Sequence, residues 1–365
     1  MKLRTLLLGT GAAFAVVGGA QAADLSVAEP VEFVKVCDYF GTSYWYIPGT
    51  DTCIRVSGFV RFDTTFQGNT IASGNANPIW NPSLSGNHSS SWEFNTQADI
   101  EILAKSVTEY GILAADVQYD ANSSGANAVG NLNSNTFGID HATLSLGGFT
   151  AGYQGSLFNY GGDLGTGIYG GLHSTSTTDG VRMAWAAAGF GIALGVEDPR
   201  DRWGSSQPTD IGTPDIIGAL TATQSNWDGQ LAAAYTGANG GGWAVQAGAT
   251  FKLDSIAKGD AFRIQGAFGD NAGSFVAVQA DPSQLGSNFS VLASFQHFWS
   301  PTLSSSFMGA YLNKINTSGP SEWQAEADLI WSPVTNFFAG PAIVYTAPST
   351  GSATWTIDLR LQRSW

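Results

Sequence analysis

Charged residues are scarce in this chain. They make up 12% of its 365 residues, whereas an average soluble protein contains about 25%. The charges that are present are mostly acidic: 29 Asp and Glu against 15 Lys and Arg give a formal net charge of −14. This balance argues against nucleic acid as a partner, because binding to phosphates requires a basic surface.

Long hydrophobic runs are also missing after the first 22 residues, although a membrane-spanning helix needs about 20 apolar residues. The nearest candidate, 183–196, is interrupted by Gly189, Gly191 and Gly195, and its apolar side chains recur at every second position. This pattern predicts two strands joined at Ala188-Gly189.

Catalytic and metal-binding motifs are missing as well. The dinucleotide-type pattern Gly165-x-Gly167-x-x-Gly170 has no parallel β-α-β unit around it, and no Gly-x-Ser-x-Gly nucleophile elbow occurs. The histidines are far apart in the sequence and show no metal-ligand spacing. They are His88, His141, His173 and His297. We predict that the protein is not an enzyme and needs no cofactor.

The amino terminus has the pattern of a secretory signal peptide. Lys2 and Arg4 form a basic start, residues 6–20 are mostly apolar, and Ala20-Gln21-Ala22 offers a small-residue cleavage motif. We therefore predict that residues 1–22 are removed on export. The alternative is a membrane helix, but the apolar stretch is too short and the cleavage motif follows it directly.

Only two cysteines occur, Cys37 and Cys53. An even number in an exported chain predicts one disulfide, which closes a loop of about 15 residues. The alternatives are a metal pair or a redox centre, but these lack a nearby histidine and a Cys-x-x-Cys spacing.

What the sequence does contain is strict alternation of apolar and polar side chains. In 354–365 one face is apolar and the other polar, and the segment ends on the aromatic Trp365. Strands of this kind build outer-membrane β-barrels. Sixteen such segments follow one another: 54–67, 91–105, 110–120, 137–147, 149–155, 180–187, 190–198, 214–223, 227–236, 242–252, 260–269, 287–299, 303–314, 321–332, 336–347 and 354–365.

The predicted connections alternate between short turns and longer loops, and aromatic residues cluster at strand ends. Both features are typical of a barrel with short turns on one rim and long loops on the other. We predict an all-β fold, a 16-stranded antiparallel transmembrane β-barrel over 54–365. A segment 23–53 precedes it, on the periplasmic side or as a loop, and carries the disulfide.

The connection from Ser156 to Asp179 is the predicted functional element. It is long, glycine-rich and almost uncharged apart from Asp163 and Asp179. Because a sixteen-stranded barrel leaves an open aqueous lumen, we expect this third outer loop to fold inward and narrow it. An ordinary surface loop is the alternative.

Two stretches resemble a known family. Lys35-Val-Cys-Asp38, together with Tyr46-Ile-Pro-Gly-Thr-Asp-Thr-Cys53-Ile-Arg-Val-Ser-Gly58-Phe-Val-Arg61, is similar to the amino-terminal signature of alphaproteobacterial general porins. Thr150-Ala-Gly-Tyr-Gln-Gly-Ser-Leu-Phe158 resembles the entry to their constriction loop. The resemblance implies a homotrimeric, sixteen-stranded outer-membrane porin whose third outer loop folds into each pore. One departure is the terminal Trp365, where such chains usually end in Phe.

The function we expect is passive diffusion of small hydrophilic solutes and ions, with selectivity set by the charges that face the water. The predicted pore constriction places Asp163 and Asp179 opposite the wall residues Arg61, Arg182 and Arg360. Inward acids outnumber inward bases, which predicts a weak cation preference. Expected partners are further copies of the chain in a homotrimer, outer-membrane lipid and lipopolysaccharide.

Three other functional or structural classes remain as alternatives. One is a structural or adhesion barrel without an open pore, and another is a solute-specific channel, for which few inward aromatic residues are available. A soluble β-sandwich is disfavoured because no segment predicts an all-apolar core.

Overall fold

A closed antiparallel sheet of sixteen long strands dominates the part of the chain that the computed structural model describes. The described residues are 35–41, 43–69, 90–126, 132–165, 172–203, 208, 210–238, 240–277, 280, 286–315 and 319–365. The predicted signal peptide lies outside them. The strands are β1 Trp45–Tyr46, β2 Cys53–Asn69, β3 Ser90–Thr108, β4 Gly111–Ala126, β5 Leu132–Leu146, β6 Phe149–Gly155, β7 Thr177–Ala187, β8 Phe190–Glu197, β9 Asp215–Thr223, β10 Trp227–Thr236, β11 Gly242–Lys252, β12 Ala261–Asp270, β13 Ser287–Ser300, β14 Leu303–Leu312, β15 Glu322–Val334, β16 Phe337–Pro348 and β17 Thr354–Ser364.

Closure comes from the pairing of the last strand with the first long one. Each strand from β2 to β17 pairs with its neighbours in sequence, and β17 returns to β2, with Thr354 opposite Asn69 and Ser364 opposite Phe59. Sixteen strands paired in this way form a barrel without free edges. The predicted sixteen-stranded barrel is therefore confirmed.

The predicted strand bounds agree closely with the structure. The segments 149–155, 227–236 and 242–252 match β6, β10 and β11 residue for residue. The largest difference is in β4, which continues well past the predicted end at residue 120 to Ala126. Pairing with β5 extends this strand beyond its apolar stripe.

Alternation along each strand gives the barrel an inner and an outer face. On β15 the side chains of Glu322, Glu326 and Asp328 are buried, whereas Trp323 and Trp331 are exposed. Strands β2 and β17 follow the same rule. The outer face thus presents large apolar and aromatic side chains and the inner face polar ones, as a membrane-spanning barrel requires.

Short turns connect the strands at one rim, which we call the short-turn rim; longer connections lie at the opposite, long-loop rim. The β7–β8 turn is built at Ala188 and Gly189, whose φ angles are 52° and 80°. Positive φ at both central residues matches the right-handed twist of a hairpin. The predicted division of 183–196 into two strands at this dipeptide is confirmed.

Helical structure is minor. Within the described ranges it comprises the 3-10 helix Pro199–Arg202 and the four-residue α-helix Gly273–Val276. No helix among the described residues is long and apolar enough to cross a membrane.

Residues 35–53 lie at the short-turn rim, joined to the barrel by a disulfide. Cys37 and Cys53 are bonded, as predicted, with their Cα atoms 6.0 Å apart. Both cysteines and Tyr44 are buried in one cluster with Leu103 of β3. Strand β1 pairs with β2 at residues 53 and 54, beyond the point where β17 ends.

The same segment covers part of the inner wall. Leu103, Lys105 and Arg55 share inner-face register. The Arg55 guanidinium lies 5.5 Å from the centre of the Tyr44 ring, and the Lys105 ammonium lies 5.3 Å from it. Such cation-π contacts hold the segment against the barrel in addition to the disulfide.

Replacing both Cys37 and Cys53 by Ala should release this segment. The local free energy of unfolding should fall by about 3 kcal/mol for a loop of this length, which corresponds to about 100-fold faster amide exchange. Hydrogen exchange with mass spectrometry measures this at the amides of Cys37 and Tyr46, which bond to Tyr44 and Lys35 carbonyls. Amide exchange in β10 and β11 should not change. An unchanged exchange rate at the amide of residue 37 would contradict the expectation.

A charge on the outer face should destabilise the barrel. Leu359 lies midway along β17 on the outer face, so Leu359→Lys should cost about 2–4 kcal/mol in a bilayer. The matched control is Gln67→Lys on the inner face of β2, where the ammonium remains in water. Urea unfolding in lipid vesicles compares the two variants, and equal losses would refute the assignment of faces.

Candidate functional site

The third connection at the long-loop rim runs between β6 and β7, and residues 156–165 and 172–176 of it are described. Phe158 and Leu172 are fully buried in one apolar cluster with Ile217, Leu292 and Leu312. The last three side chains stand on the inner faces of β9, β13 and β14. The cluster extends to the 273–276 helix, whose Phe275 ring meets Phe158 edge to face at 5.1 Å.

Hydrogen bonds continue this contact along the inner faces of β10 and β11. The Tyr160 hydroxyl donates to Asp228 Oδ1 at 2.7 Å and lies 2.7 Å from Thr250 Oγ1. Burial, together with the Asp228 carboxylate, raises the pKa of Tyr160 to about 12. The hydroxyl is therefore neutral at physiological pH and can act as a donor.

Further along the segment, two backbone carbonyls accept hydrogen bonds from side chains of β12. Arg263 Nη1 donates to the Gly162 carbonyl at 2.9 Å, and Gln265 Nε2 donates to the Gly161 carbonyl. The Leu164 amide donates to Ser294 Oγ on β13 at 2.9 Å. These bonds satisfy backbone groups that a covered segment must not leave unpaired.

Two glycines permit this close course. Gly161 has φ +141°, a conformation that other residues rarely adopt. Gly248, on the inner face of β11, leaves room for Tyr160, because a Cβ atom there would overlap the tyrosine ring.

A buried charge cluster holds the start of the segment. The side chains of Arg202, Glu197 and Asp215 are 1%, 7% and 0% exposed. Arg202 Nη2 donates to Glu197 Oε2 at 2.7 Å and to Ser156 Oγ, and its Nε lies 3.4 Å from Asp215 Oδ2. The guanidinium also lies 3.8 Å from the centre of the Phe275 ring.

Glu197 connects this cluster to the segment directly, because its Oε1 accepts from the Leu157 amide at 2.9 Å. One cation thus orients two carboxylates and the first residues of the connection.

The inner wall formed by β2, β3 and β17 carries a second set of charges. Arg360 Nε donates to Asp63 Oδ1 at 2.7 Å, and this pair is largely buried. Arg61 donates to the side chains of Gln362 at 2.8 Å and Gln97 at 3.0 Å. Gln97 donates in turn to Asp120 Oδ1 at 3.0 Å.

The predicted site residues occupy different surroundings. Asp163 accepts from the Gly165 amide at 2.9 Å, where a Cβ atom on Gly165 would lie 2.6 Å from Asp328 Oδ2. Arg182 donates to the Gly155 carbonyl at 3.3 Å, at the end of β6. Asp179 has outer-face register on β7, like Val181, and its amide donates to Asp201 Oδ2 at 2.7 Å.

Sequence reasoning missed the residues that anchor the connection, above all Tyr160 and Arg202. One signal was available: Ile217, Leu292 and Leu312 are apolar at positions where the alternation calls for polar side chains. An apolar side chain on the inner face of a wide barrel indicates that something covers it.

The structure also brings together groups that are far apart in the sequence. Glu101, Asp116 and His141 each offer a possible ligand atom, and these atoms lie within 4.8 Å of one another. The spacing of the histidines in the sequence does not reveal this group at His141. Neighbouring strands, rather than sequence spacing, create the group.

Comparison with known proteins assigns the family. A family profile described as "Porin subfamily" matches residues 24–357. The chain belongs to this porin subfamily. The match spans the whole described barrel up to the last strand, in agreement with the resemblance found in the sequence.

Relatives of this porin occur in Sinorhizobium and Brucella. A Sinorhizobium fredii protein named as an outer membrane protein is 38% identical over 164 residues, 44% of this chain and 45% of the relative. Porin Omp2b of Brucella suis is 32% identical over 237 residues, 60% of this chain and 62% of the relative. The matched regions thus span about half to three fifths of the length of these relatives.

Solved structures share the fold. The outer membrane channel DcaP of Acinetobacter baumannii has a TM-score of 0.71 at 14% identity, covering 88% of this porin and 99% of that chain. An anion-selective porin from Comamonas acidovorans has a TM-score of 0.55 at 10% identity, covering 86% and 100%. Identities this low establish the architecture alone.

Arg202 provides a sharp test of the buried charge cluster. Arg202→Met should destabilise the porin by about 3–5 kcal/mol, because it leaves Glu197 and Asp215 buried without their cation. The matched control is Arg200→Met in the same 3-10 helix, where an exposed Arg200 pairs with Asp198; it should leave stability unchanged. Equal unfolding midpoints in urea for both variants would contradict the assigned role of Arg202.

Proposed function

We propose that this porin forms a passive, water-filled channel for small hydrophilic solutes and ions across the outer membrane. The observation that carries the proposal is the set of hydrogen bonds from segment 156–165 to inner-face side chains of β10, β12 and β13. A loop folded inward along this course narrows a lumen that sixteen strands otherwise leave wide. No energy source is required for diffusion through it.

The constriction we propose lies between this inward-folded third outer loop and the opposite wall of β2, β3 and β17. Asp163 supplies a negative charge on the loop, and Arg61 and Arg360 supply positive charges on that wall. Arg182 on β7 adds a positive charge beside the start of the loop. Charges on opposite sides of a narrow passage create a transverse field that orients polar solutes. Asp179 is not included, because its side chain shares the register of the outer face.

A weak cation preference follows from the inner-face charges of this proposal. Thirteen acidic residues with inner-face register on the described strands stand against seven basic ones. The acids are Asp63, Glu93, Asp99, Glu101, Asp116, Asp120, Glu197, Asp215, Asp228, Glu322, Glu326, Asp328 and Asp358. The bases are Arg55, Arg61, Lys105, Arg182, Lys252, Arg263 and Arg360. Arg55 and Arg360 pair with Glu101 and Asp63, and the acids remain in excess over the bases.

Homotrimer formation and residence in the outer membrane beside lipopolysaccharide belong to the same proposal. It is supported by the apolar outer face, the secretory pattern of residues 1–22 and the naming of a relative as an outer membrane protein.

A structural or adhesion barrel without an open pore is the second candidate. The apolar cluster around Phe158 and Phe275 favours it, because this cluster occupies inner-face space beside β9 to β14. Conductance separates the two candidates directly.

The first experiment is single-channel recording of the purified protein in a planar bilayer, followed by the reversal potential in a potassium chloride gradient. We expect openings in groups of three and a reversal potential on the cation side. Folded protein that inserts but never conducts would favour the structural barrel, and an anion-side potential would overturn the selectivity.

Neutral substitutions on the two sides of Gln97 should shift the selectivity in opposite directions. Arg61 and Asp120 both bond to Gln97, so Arg61→Gln should raise the potassium-to-chloride permeability ratio and Asp120→Asn should lower it. Glu109→Gln, in the exposed β3–β4 turn, is the matched control and should leave the ratio unchanged. Identical permeability ratios in all three variants would show that the charges of this wall do not face the path of the ions.

A further inference from the structure

A carboxylate–histidine cluster lies on the inner wall of β3, β4 and β5, closer to the short-turn rim than Gln97 and Asp120. Glu101 on β3 lies opposite Gln118 on β4, and Gln118 lies opposite His141 on β5. Asp116 is two residues from Gln118 and therefore shares its face. The register alone thus brings Glu101, Asp116 and His141 to one patch of wall.

We propose that Glu101, Asp116 and His141 bind a divalent transition-metal ion such as Zn²⁺. One possible ligand atom from each side chain lies within 4.8 Å of the other two. The distance from His141 Nε2 to Asp116 Oδ1 is 3.3 Å, which a bridging ion at about 2.0–2.2 Å from each atom accommodates. All three side chains are half-buried, so water can complete a four-coordinate shell.

The backbone aims the histidine at this position. The pairing of β4 and β5 shifts at Gln118 and Tyr119, where Asp140 is the extra residue of a β-bulge. Bulges redirect side chains and are frequent beside functional sites. Here the bulge lets two successive residues, Asp140 and His141, approach the same patch.

Asp140 places a carboxylate near the other ring nitrogen of His141. Its Oδ2 lies 3.6 Å from His141 Nδ1, on the side of the ring away from Asp116, just beyond hydrogen-bond distance. A small rotation of the Asp140 side chain closes this gap, and a carboxylate bonded there fixes the ring orientation of a metal-bound histidine and leaves Nε2 for the ion.

The carboxylates have capacity left for a cation. Glu101 Oε2 accepts hydrogen bonds from Arg55 Nη2 at 2.9 Å and from the Ser57 hydroxyl. Neither of these bonds uses Glu101 Oε1. Asp116 Oδ1 is buried and accepts no hydrogen bond from the described residues, although His141 lies near it. Three carboxylates with one arginine leave the patch negative, which attracts a divalent ion.

The imidazole nitrogen determines the class of ion. A nitrogen donor with two carboxylate oxygens suits zinc and neighbouring first-row divalent ions, whereas magnesium and calcium prefer oxygen donors alone.

Titration calorimetry of the full-length porin with Zn²⁺, after removal of metals by a chelator, tests this site. We expect one ion per chain, and at least tenfold weaker binding in His141→Gln. Asp140→Asn should weaken binding by about 10- to 100-fold through the lost support.

The matched control is His297→Gln. His297 also faces a carboxylate, Asp260 Oδ2 at 2.7 Å, but belongs to no group of three ligands among the described residues. This variant should bind Zn²⁺ as tightly as the wild-type chain. Circular dichroism verifies the β-structure of each variant, and Glu101→Gln replaces His141→Gln if the latter fails to fold.

The proposal is overturned if the wild-type chain binds no Zn²⁺, or if His141→Gln or its substitute binds it undiminished. Calorimetry detects the ion whether or not the barrel conducts, so this result is independent of the channel function proposed above.

Discussion

Backbone hydrogen bonding is the constraint on which the rest of this structure depends. A strand inside hydrocarbon has no water to bond with, so each backbone group needs a partner in a neighbouring strand. The pairing of β17 with β2 meets this need by closing the sheet. Once the sheet is closed, each strand has one lipid-facing and one lumen-facing side, and the alternation of side chains follows from that geometry.

The inner wall of this porin does not follow one chemical rule. Between β9 and β14 it carries buried apolar side chains such as Ile217 and Leu292, which pack with Phe158 of the third connection. Along β2, β3 and β17 it carries bonded charges such as Arg360 with Asp63. The apolar half is where the chain covers itself, and in the proposed channel the charged half is the side open to water and solutes. This asymmetry supports a constriction on the charged side.

The fold could be predicted well because it depends on local patterns. Alternation in 227–236 and 242–252 set the exact bounds of β10 and β11, since a one-residue slip would turn polar side chains into lipid. The candidate site could be predicted only in part. Arg202 is an unremarkable residue in the sequence, yet its burial between Glu197 and Asp215 arises only when β8, β9 and the 3-10 helix converge.

Taken by itself, the sequence determined the number of strands, the face that each side chain presents and the disulfide between Cys37 and Cys53. These features depend on residues close together in the chain or on a period of two. The tertiary structure alone decided that Tyr160 reaches Asp228 and that His141 meets Glu101 and Asp116. The first contact depends on the course of a loop. The second depends on the register across three strands, including a bulge at Asp140. Side-chain periodicity contains no information about either, because it repeats identically wherever a strand is placed in the barrel.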